Sequence, residues 1–367
     1  MRTRTLLLTA AVVVASTFVL AQQQQQAPRK APSTLDIYFI DTEGGQATFF
    51  MTPSGETFLF DTGTASADNR DADRISNIIR QVAVEQQLDQ VIVSHYHGDH
   101  VGNAAELSRR FPIRHFWDHG GWTVEGQPNR RAAFDAYAAI RGSANVTVPK
   151  PGQKIPMSDI DVTVVSNVGE FIKTPLAGMP GAGAPNPLCS QWKPRVQDAT
   201  PENAYAIGAV IKYGNFRMLD LSDVIWNQEK ELVCPRNLLG TVDVYHTSRH
   251  GTDFAGSPQL VHAVHPRIAI MNNGAMKGGT KSTFEIVRSS PGIEDFWQLH
   301  YSLTDGKDMN SPDQFIATVE SQPGHMGHYL KLSARKDGSF TVLNERTGFT
   351  KEYPAVRSAA PAATASR

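Results

Sequence analysis

A short run of residues with metal-binding side chains stands out in the sequence. Residues 95–100 read His-Tyr-His-Gly-Asp-His, which places three histidines and one aspartate within six positions. Imidazole nitrogens and carboxylate oxygens are ligands that zinc and similar divalent ions accept in proteins. Alternate residues such as His95 and His97 can converge on one ion, while Asp99 and His100 turn towards a second. Solvated surface histidines are the alternative, but this spacing favours a metal site.

Such a site predicts hydrolytic chemistry. A divalent ion lowers the pKa of bound water to about 7, so hydroxide becomes available at neutral pH without a nucleophile from the protein. Two ions about 3.5–4 Å apart could hold that hydroxide and polarise a carbonyl or phosphoryl group. Asp99 would orient the hydroxide and accept its proton. The glycine cluster Gly181-Ala182-Gly183 lacks the lysine of a phosphate-binding loop, and no serine or cysteine nucleophile is indicated.

The elements around this run indicate how its side chains are positioned. The residues Val91-Ile92-Val93 directly before it form a short apolar run, typical of a buried parallel strand. In open α/β sheets, ligands bind at the carboxyl ends of such strands. Upstream, β-rich runs at 35–40, 47–50 and 57–60 predict a strand meander, and the spacing of apolar residues predicts a helix over 71–88.

Strands and helices continue to alternate downstream, which predicts an α/β fold. The expected elements are a helix near 131–141, a strand at 242–244, a helix near 258–264, a strand at 268–270 and a helix near 282–287. The stretch 167–202 is rich in proline and glycine and interrupts this order. We expect an irregular insertion there, and long loops of this kind often border active sites.

The two ends of the chain predict export and a single domain. A basic start, an apolar run over 6–20 and Ala21 are typical of a cleaved signal peptide. The apolar run is shorter than the ~20 residues that a membrane-spanning helix needs. The predicted segments are a signal peptide at 1–21, a linker at 22–34, one domain at 35–354 and a flexible tail at 355–367. The mature protein would then be periplasmic or secreted.

The charge balance and the cysteine count limit the partners and the kind of scaffold. Lysine plus arginine number 35 against 36 for aspartate plus glutamate, so no global field favours nucleic acid or an anionic membrane. A small-molecule substrate is the expected partner, without membrane contact after signal cleavage. Cys189 and Cys234 are too few for a disulfide scaffold or a zinc ribbon. They could form one bridge or remain free thiols, and the sequence leaves both open.

Several segments resemble the metallo-β-lactamase superfamily. Ser94–His100 is similar to the signature of that superfamily, and Phe60-Asp61-Thr62-Gly63 resembles the strand-end aspartate motif that precedes it. Further segments resemble the branch related to the hydrolase-like domain of DNA-uptake competence proteins: Phe39–Ala47, Leu219–Asp223 and Ser248–Gly251. The resemblance spans about residues 35–275.

The resemblance implies a fold, a cofactor and a set of ligands. The implied fold is a four-layer αββα sandwich of the metallo-β-lactamase type, and the implied cofactor is one or two Zn²⁺ ions, with Mn²⁺ as an alternative. The implied metal ligands are His95, His97, Asp99, His100, Asp223 and His250. Asp223 would be the carboxylate that bridges two ions. Asp61 would support the ligand loop through hydrogen bonds rather than touch metal.

The chain departs from the superfamily pattern at two places. Many members carry another histidine ahead of the bridging carboxylate, where this chain has Glu202-Asn203-Ala204-Tyr205. Asn203 or His119 could complete that first site. Arg249 stands where relatives often have a second histidine beside the ligand, and it could stabilise developing negative charge. Asp99 and Arg249 are therefore the predicted catalytic residues.

Three functions compete on this basis. An exported hydrolase of a phosphodiester or another small ester is favoured, because the competence-type motifs imply phosphorus chemistry. A β-lactam or lactone hydrolase is disfavoured by the missing third histidine, and a non-catalytic binding module by the intact core motif. The histidines outside the motifs lack a companion donor at ligand spacing, although His300 and Asn272-Asn273-Gly274 could line the pocket from other strand ends.

Overall fold

The computed structural model describes residues 31–122, 128–195, 201–320 and 327–356. The predicted signal peptide lies outside these ranges, as do residues 22–30 of the predicted linker and 357–367 of the predicted tail. No helix within the described ranges is long and apolar enough to cross a membrane.

Strands outnumber helices in the described chain, and the helices lie between them. The strands are β1 (Leu35–Ile40), β2 (Thr48–Met51), β3 (Thr57–Phe60), β4 (Gln90–Ile92), β5 (Phe116–Trp117), β6 (Val146–Thr147), β7 (Lys154–Ile155), β8 (Asp161–Asn167), β9 (Glu170–Phe171), β10 (Gly208–Tyr213), β11 (Phe216–Asp220), β12 (Val244–His246), β13 (Ile268–Met271), β14 (Asp295–His300), β15 (Ile316–Thr318), β16 (Tyr329–Ala334), β17 (Phe340–Asn344) and β18 (Thr350–Tyr353). The α-helices are α1 (Arg70–Val82), α2 (Ala104–Arg110), α3 (Pro128–Arg141), α4 (Trp226–Val233), α5 (Pro258–Val264) and α6 (Lys281–Arg288).

The strands form two mixed sheets. The first has the order β18-β17-β16-β1-β2-β3-β4-β5-β6, so it combines strands from both ends of the described chain. The second has the order β15-β14-β13-β12-β11-β10-β8-β7, with β9 paired to β8. The predicted meander is confirmed, because β1, β2 and β3 pair antiparallel in succession. From β3 to β6 and from β11 to β15, neighbouring strands run parallel.

Apolar side chains on both faces of the sheets produce four layers. Successive side chains of a strand point to opposite faces, and in β1 Ile37 and Phe39 join the core between the sheets, whereas Tyr38 and Ile40 join the core beneath the helices. Helices α1, α2 and α3 pack on the outer face of the first sheet, and α4, α5 and α6 pack on that of the second. The predicted αββα sandwich is confirmed.

Helix α1 is shorter than its sequence pattern predicts. Ile75, Ile78 and Ile79 are buried on its inner face, as expected for apolar residues spaced by three and four. The helix ends at Val82, although the prediction extended it to Leu88. Leu88 is instead fully buried in an extended segment, and its N–H donates to Pro112 O over 2.9 Å. Pairing with a distant segment therefore overrides the local helical pattern.

The insertion at 167–202 packs on the helical side of the second sheet. Phe171, Ile172 and Met179 join the core that α4 and α5 cover. Cys189 and Cys234 form a disulfide, with Cα atoms 5.7 Å apart and a sequence separation of 45. The bridge ties the insertion to the end of α4, so the question that the sequence left open is answered.

Candidate metal centre

Residues that follow strands of both sheets meet at one edge of the sandwich. Asp61 follows β3 and the run 95–100 follows β4, while Asp223 follows β11 and His250 follows β12. Strands β3 and β4 are parallel, as are β11 and β12, so the carboxyl ends of each pair lie at the same edge. The sheet topology therefore places two distant parts of the sequence around one site.

The first group of donor atoms consists of His95, His97 and Asp223. His95 Nε2 lies 2.9 Å from His97 Nδ1 and 3.8 Å from Asp223 Oδ2. All three residues are buried. Burial lowers the pKa of His95 well below its usual value, and the neighbouring His100 and His97 add to this effect. His95 is therefore held as a neutral imidazole, the form that ligates metal.

The second group consists of Asp99, His100 and His250. His100 Nε2 lies 3.3 Å from Asp99 Oδ2, and His250 Nε2 lies 3.1 Å from the same oxygen. These two imidazole nitrogens are also 3.3 and 3.4 Å from Asp223 Oδ1. Asp223 thus directs one carboxylate oxygen to each group, as a bridging ligand would.

The donor set fits divalent cations. Asp223 Oδ1 is buried and accepts no hydrogen bond of acceptable geometry from the described residues. A buried carboxylate oxygen without a well-formed hydrogen bond is costly unless a cation offsets its charge. Each group offers two imidazoles and a carboxylate within reach, a combination typical of zinc and related ions. Each group could therefore hold one ion.

The two carboxylates of the site are ionised. Burial alone would raise the pKa of Asp99, but the charge of Lys277 and the imidazole of His100 hold it well below its usual range. Burial would also raise the pKa of Asp223, but the imidazoles of His250 and His100 outweigh this effect and hold the pKa well below its usual range. Both side chains therefore offer negative oxygen to a cation.

Asp61 holds the ligand loop without joining either group. Its Oδ1 accepts a hydrogen bond from Ser94 N, and its Oδ2 accepts bonds from Ser94 Oγ and His100 Nδ1, each at 2.7 Å. Because a carboxylate only accepts, His100 donates through Nδ1, so its Nε2 faces the second group and could ligate a cation bound there. This geometry agrees with the supporting role that the sequence resemblance implied for Asp61.

A buried polar network joins the two sheets beneath the site. Ser222 Oγ donates to Ser94 Oγ over 2.8 Å, and Ser222 N donates to Asp220 Oδ1 over 2.9 Å. The other oxygen of Asp220 accepts bonds from Gln46 Nε2 at 3.0 Å and His246 Nδ1 at 2.8 Å. Asp220 therefore anchors the turn that precedes Asp223 and belongs to neither donor group.

Left-handed backbone conformations cluster at this edge. Asp61, Ser222, Arg249 and His250 have φ values of 62°, 48°, 51° and 58°. Such conformations are uncommon for residues other than glycine, and they persist only where the surrounding structure imposes them. The strained turns set the directions in which the neighbouring ligands project.

A cavity of about 740 Å³ opens above the two donor groups. Ala132, Ala133 and Ala136 of α3 form one wall, and Arg249 and Lys277 contribute cationic side chains to its lining. None of the described residues of the insertion at 167–202 lines it, so the expectation that this segment borders the site is not met in the part of the chain that the structure describes.

The two cationic side chains lie beside different donor groups. Arg249 Nε is 3.9 Å from Asp223 Oδ2, and its guanidinium lies over the ring of Phe254, 4.7 Å from the centroid. Lys277 Nζ contacts Asp99 Oδ2. Lys277 was not among the predicted site residues, although it lies three residues beyond the strand-end residues 272–274 that follow β13. Ligands bind at the carboxyl ends of strands in such sheets, and this rule, which indicated residues 272–274, applies to Lys277 as well.

His119 and His300, two further candidates for the pocket, contact other parts of the molecule. His119 Nε2 is 2.6 Å from Glu202 Oε1, and His119 belongs to neither donor group. Asn203 is fully buried next to Glu202, and its role as a ligand stays a prediction. His300 lines a separate cavity with Tyr301 and is not among the residues that line the one above the donor groups.

The asparagines after β13 and the distant histidines have structural partners. Asn272 Nδ2 donates to Gln46 Oε1 over 3.2 Å, and Asn273 Nδ2 donates to the carbonyl of His300 over 2.7 Å. His328 Nδ1 is 2.7 Å from Glu345 Oε2, away from both donor groups. These contacts stabilise loops and do not reach the cavity.

Comparison with known proteins agrees with this architecture. Residues 41–172 match the family model of the Metallo-beta-lactamase superfamily. The chain has the metallo-beta-lactamase fold. The matched segment includes Asp61 and the run 95–100, whereas Asp223 and His250 lie beyond it. No curated protein matches the chain.

Solved structures with low sequence identity are similar to the chain. The metallo-beta-lactamase fold protein YhfI from Bacillus subtilis is 10% identical, with 72% of this chain and 95% of that chain covered and a TM-score of 0.44. Igni18, a metallo hydrolase from Ignicoccus hospitalis, is 11% identical over 71% and 94%, with a TM-score of 0.41. CmlA, a diiron beta-hydroxylase from Streptomyces venezuelae, is 13% identical over 73% and 53%, with a TM-score of 0.42.

Proposed function

We propose that the protein is an exported, divalent-metal-dependent hydrolase that cleaves a phosphodiester or another small ester. The observation that carries this proposal is the convergence of two donor groups on Asp223, with Oδ1 within 3.4 Å of both His100 Nε2 and His250 Nε2 and Oδ2 3.8 Å from His95 Nε2. Paired metal sites that share a carboxylate suit displacement at an ester, because attacking and leaving oxygens can both be stabilised.

The cations beside the site favour a substrate with a negatively charged reacting group. Arg249 lies next to the first donor group and Lys277 next to the second, and both line the cavity. Positive charge held beside the reacting group stabilises charge that develops on phosphoryl oxygens. This arrangement and the competence-type motifs of the sequence support phosphorus chemistry over the opening of a neutral lactone.

The residues of the chain divide the chemical work. When bound, the ions supply Lewis acidity, which lowers the pKa of a water ligand and polarises a substrate oxygen. Asp99 orients the attacking water and accepts its proton, while Arg249 stabilises negative charge on the substrate. Asp61 keeps Nε2 of His100 directed into the site. The alanine wall formed by α3 leaves room for the substrate beside these groups.

Zn²⁺ is the proposed metal, with Mn²⁺ as the alternative, since imidazole with carboxylate suits both. A cavity of about 740 Å³ is of the size that small-molecule sites have. A small substrate is therefore proposed, in agreement with a formal net charge of −1 that gives no electrostatic attraction to nucleic acid.

A substrate panel tests the proposed activity. Zinc-loaded and manganese-loaded protein is assayed with chromogenic phosphodiester, phosphomonoester, carboxylic ester, lactone and β-lactam substrates. We expect turnover of the phosphodiester or the small ester, and its loss in His97→Ala, because that change removes a donor of the first group. His328→Ala is the matched control and should keep wild-type turnover. Metal-loaded protein that turns over no member of the panel would contradict the proposal.

The proposed export rests on the basic and apolar start of the sequence. Cleavage after Ala21 would give a mature chain that begins near Gln22. Amino-terminal sequencing of protein from the exported fraction tests this directly, and an intact Met1 on exported soluble protein would contradict it.

A further inference from the structure

The loop that carries Lys277 is built to approach the metal edge closely. A side chain at Gly274 would place Cβ 2.3 Å from the carbonyl oxygen of Glu43, and one at Gly278 would place it 1.8 Å from that of His250. Only glycine fits at such separations. Gly279 N also donates to His250 O over 3.2 Å. The loop therefore packs tightly between the turns that contain Glu43 and His250, and Lys277 lies within it.

One oxygen of Asp99 lies close both to Lys277 and to the histidines of the second donor group. Lys277 Nζ contacts Asp99 Oδ2, the oxygen that is also 3.1 Å from His250 Nε2 and 3.3 Å from His100 Nε2. An ammonium ion and a divalent cation at this group would compete for the same oxygen. The side chain of Lys277 is 43% exposed and lines the cavity, so it has space to turn away from Asp99.

We propose that Lys277 is a substrate-binding residue for a phosphoryl group, a role that rests on the proposed function. Its ammonium group pairs with Asp99 until a divalent ion takes that oxygen, and it then binds a non-bridging oxygen of the substrate. Arg249 lies beside the other donor group, so the two cations flank the position of the phosphoryl group. An ammonium group serves as a point charge for phosphate, as lysines of phosphate-binding loops do.

Inorganic phosphate is the probe, and its binding to metal-loaded protein is measured by calorimetry without turnover. Lys277→Met keeps the aliphatic stem, which packs against Gly44, and removes the charge. We expect its Kd for phosphate to rise about tenfold or more, because a charge-assisted hydrogen bond is lost. Its Kd for divalent ions should stay equal or fall, because no ammonium group competes for Asp99. A merely structural lysine would weaken both.

Two control variants sharpen the result. Lys281→Met removes a lysine of α6 that is 62% exposed and pairs with Glu285, outside the cavity, and it should change neither Kd. Lys277→Arg keeps the charge and should keep most of the affinity for phosphate.

The outcomes separate this proposal from the proposed function. Lys277→Met with wild-type affinity for phosphate would overturn the assignment, as would a loss of metal affinity in that variant. Wild-type protein that binds divalent ions but no phosphate would overturn it as well, while leaving the metal centre intact. Wild-type protein that binds no divalent ion would overturn the proposed function and this assignment together.

Discussion

Replacing Asp61 by asparagine should disturb the metal edge through His100. The carboxylate accepts three hydrogen bonds of 2.7 Å, from Ser94 N, Ser94 Oγ and His100 Nδ1. Asparagine keeps the size but offers a single acceptor oxygen, so its amide nitrogen faces one of these donors. If it faces His100, the imidazole is driven to the tautomer that carries its proton on Nε2, and that nitrogen no longer ligates an ion.

The size of this effect follows from the contacts. A hydrogen bond to a charged group contributes about 1.5–3 kcal/mol, and removing the partner of a metal-ligating histidine typically lowers metal affinity about 10–100-fold. That loss corresponds to about 1.4–2.8 kcal/mol, the contribution of one such bond. We expect the ion at Asp99, His100 and His250 to bind about 10–100-fold more weakly in Asp61→Asn, and the ion at His95 and His97 to keep its affinity.

Competition titration with a chromophoric chelator measures the two affinities separately. Asp89→Asn is the matched control, because Asp89 Oδ2 is also buried and accepts bonds from Thr57 N at 2.9 Å and Thr57 Oγ1 at 3.1 Å, without a histidine. That variant should lower the thermal stability and leave both affinities unchanged. Equal affinities for both ions in Asp61→Asn and the wild type would refute the orienting role of Asp61.

Two further predictions concern stability. Burial raises the pKa of Asp243 from its ordinary 3.8 to about 6, so its stabilising contribution is complete below pH 3.8 and is lost as the pH rises through 6. The free energy of unfolding of the wild type should therefore fall by about 2 kcal/mol relative to that of Asp243→Asn between pH 4 and pH 7. Urea unfolding at both pH values checks this, and a constant difference would contradict it. Cys189→Ser and Cys234→Ser should each lower the free energy of unfolding by about 2–4 kcal/mol, because either change opens the same covalent loop. Urea unfolding measures this too, and a double variant that loses twice as much as either single variant would disprove the shared cause.

Local patterns in the sequence were sufficient for much of the fold and for four of the six donor residues of the site. The apolar run 91–93 predicts a buried strand, and the donors at 95–100 follow it directly, so their convergence needs only the geometry of a strand end. Asp223 and His250 follow strands of the other sheet, more than a hundred residues away in the sequence. Nothing in their local spacing indicates that they face His100, and only the family resemblance placed them there.

Contacts between distant segments account for the errors. The strand predicted at 242–244 is observed at Val244–His246, with Asp243 bonded to Arg217 just before it. His119 has the residue type of a metal ligand, but the sequence does not show that Glu202 occupies its Nε2. Lys277 was not predicted, because a lone lysine in a glycine-rich loop belongs to no recognisable motif. Its significance depends on the position of Asp99.

Metal stoichiometry in Asp223→Asn tests the central claim most directly. This change keeps the size of the side chain and removes the negative charge that both donor groups share, while Asp223 contributes nothing to the apolar core. Elemental analysis of purified wild-type protein should find two divalent ions per chain, and the variant should hold one or none, with no turnover and a far-ultraviolet circular dichroism spectrum like that of the wild type. A variant that keeps full metal content and wild-type turnover would contradict the bridging role of Asp223 and the two-ion centre built on it.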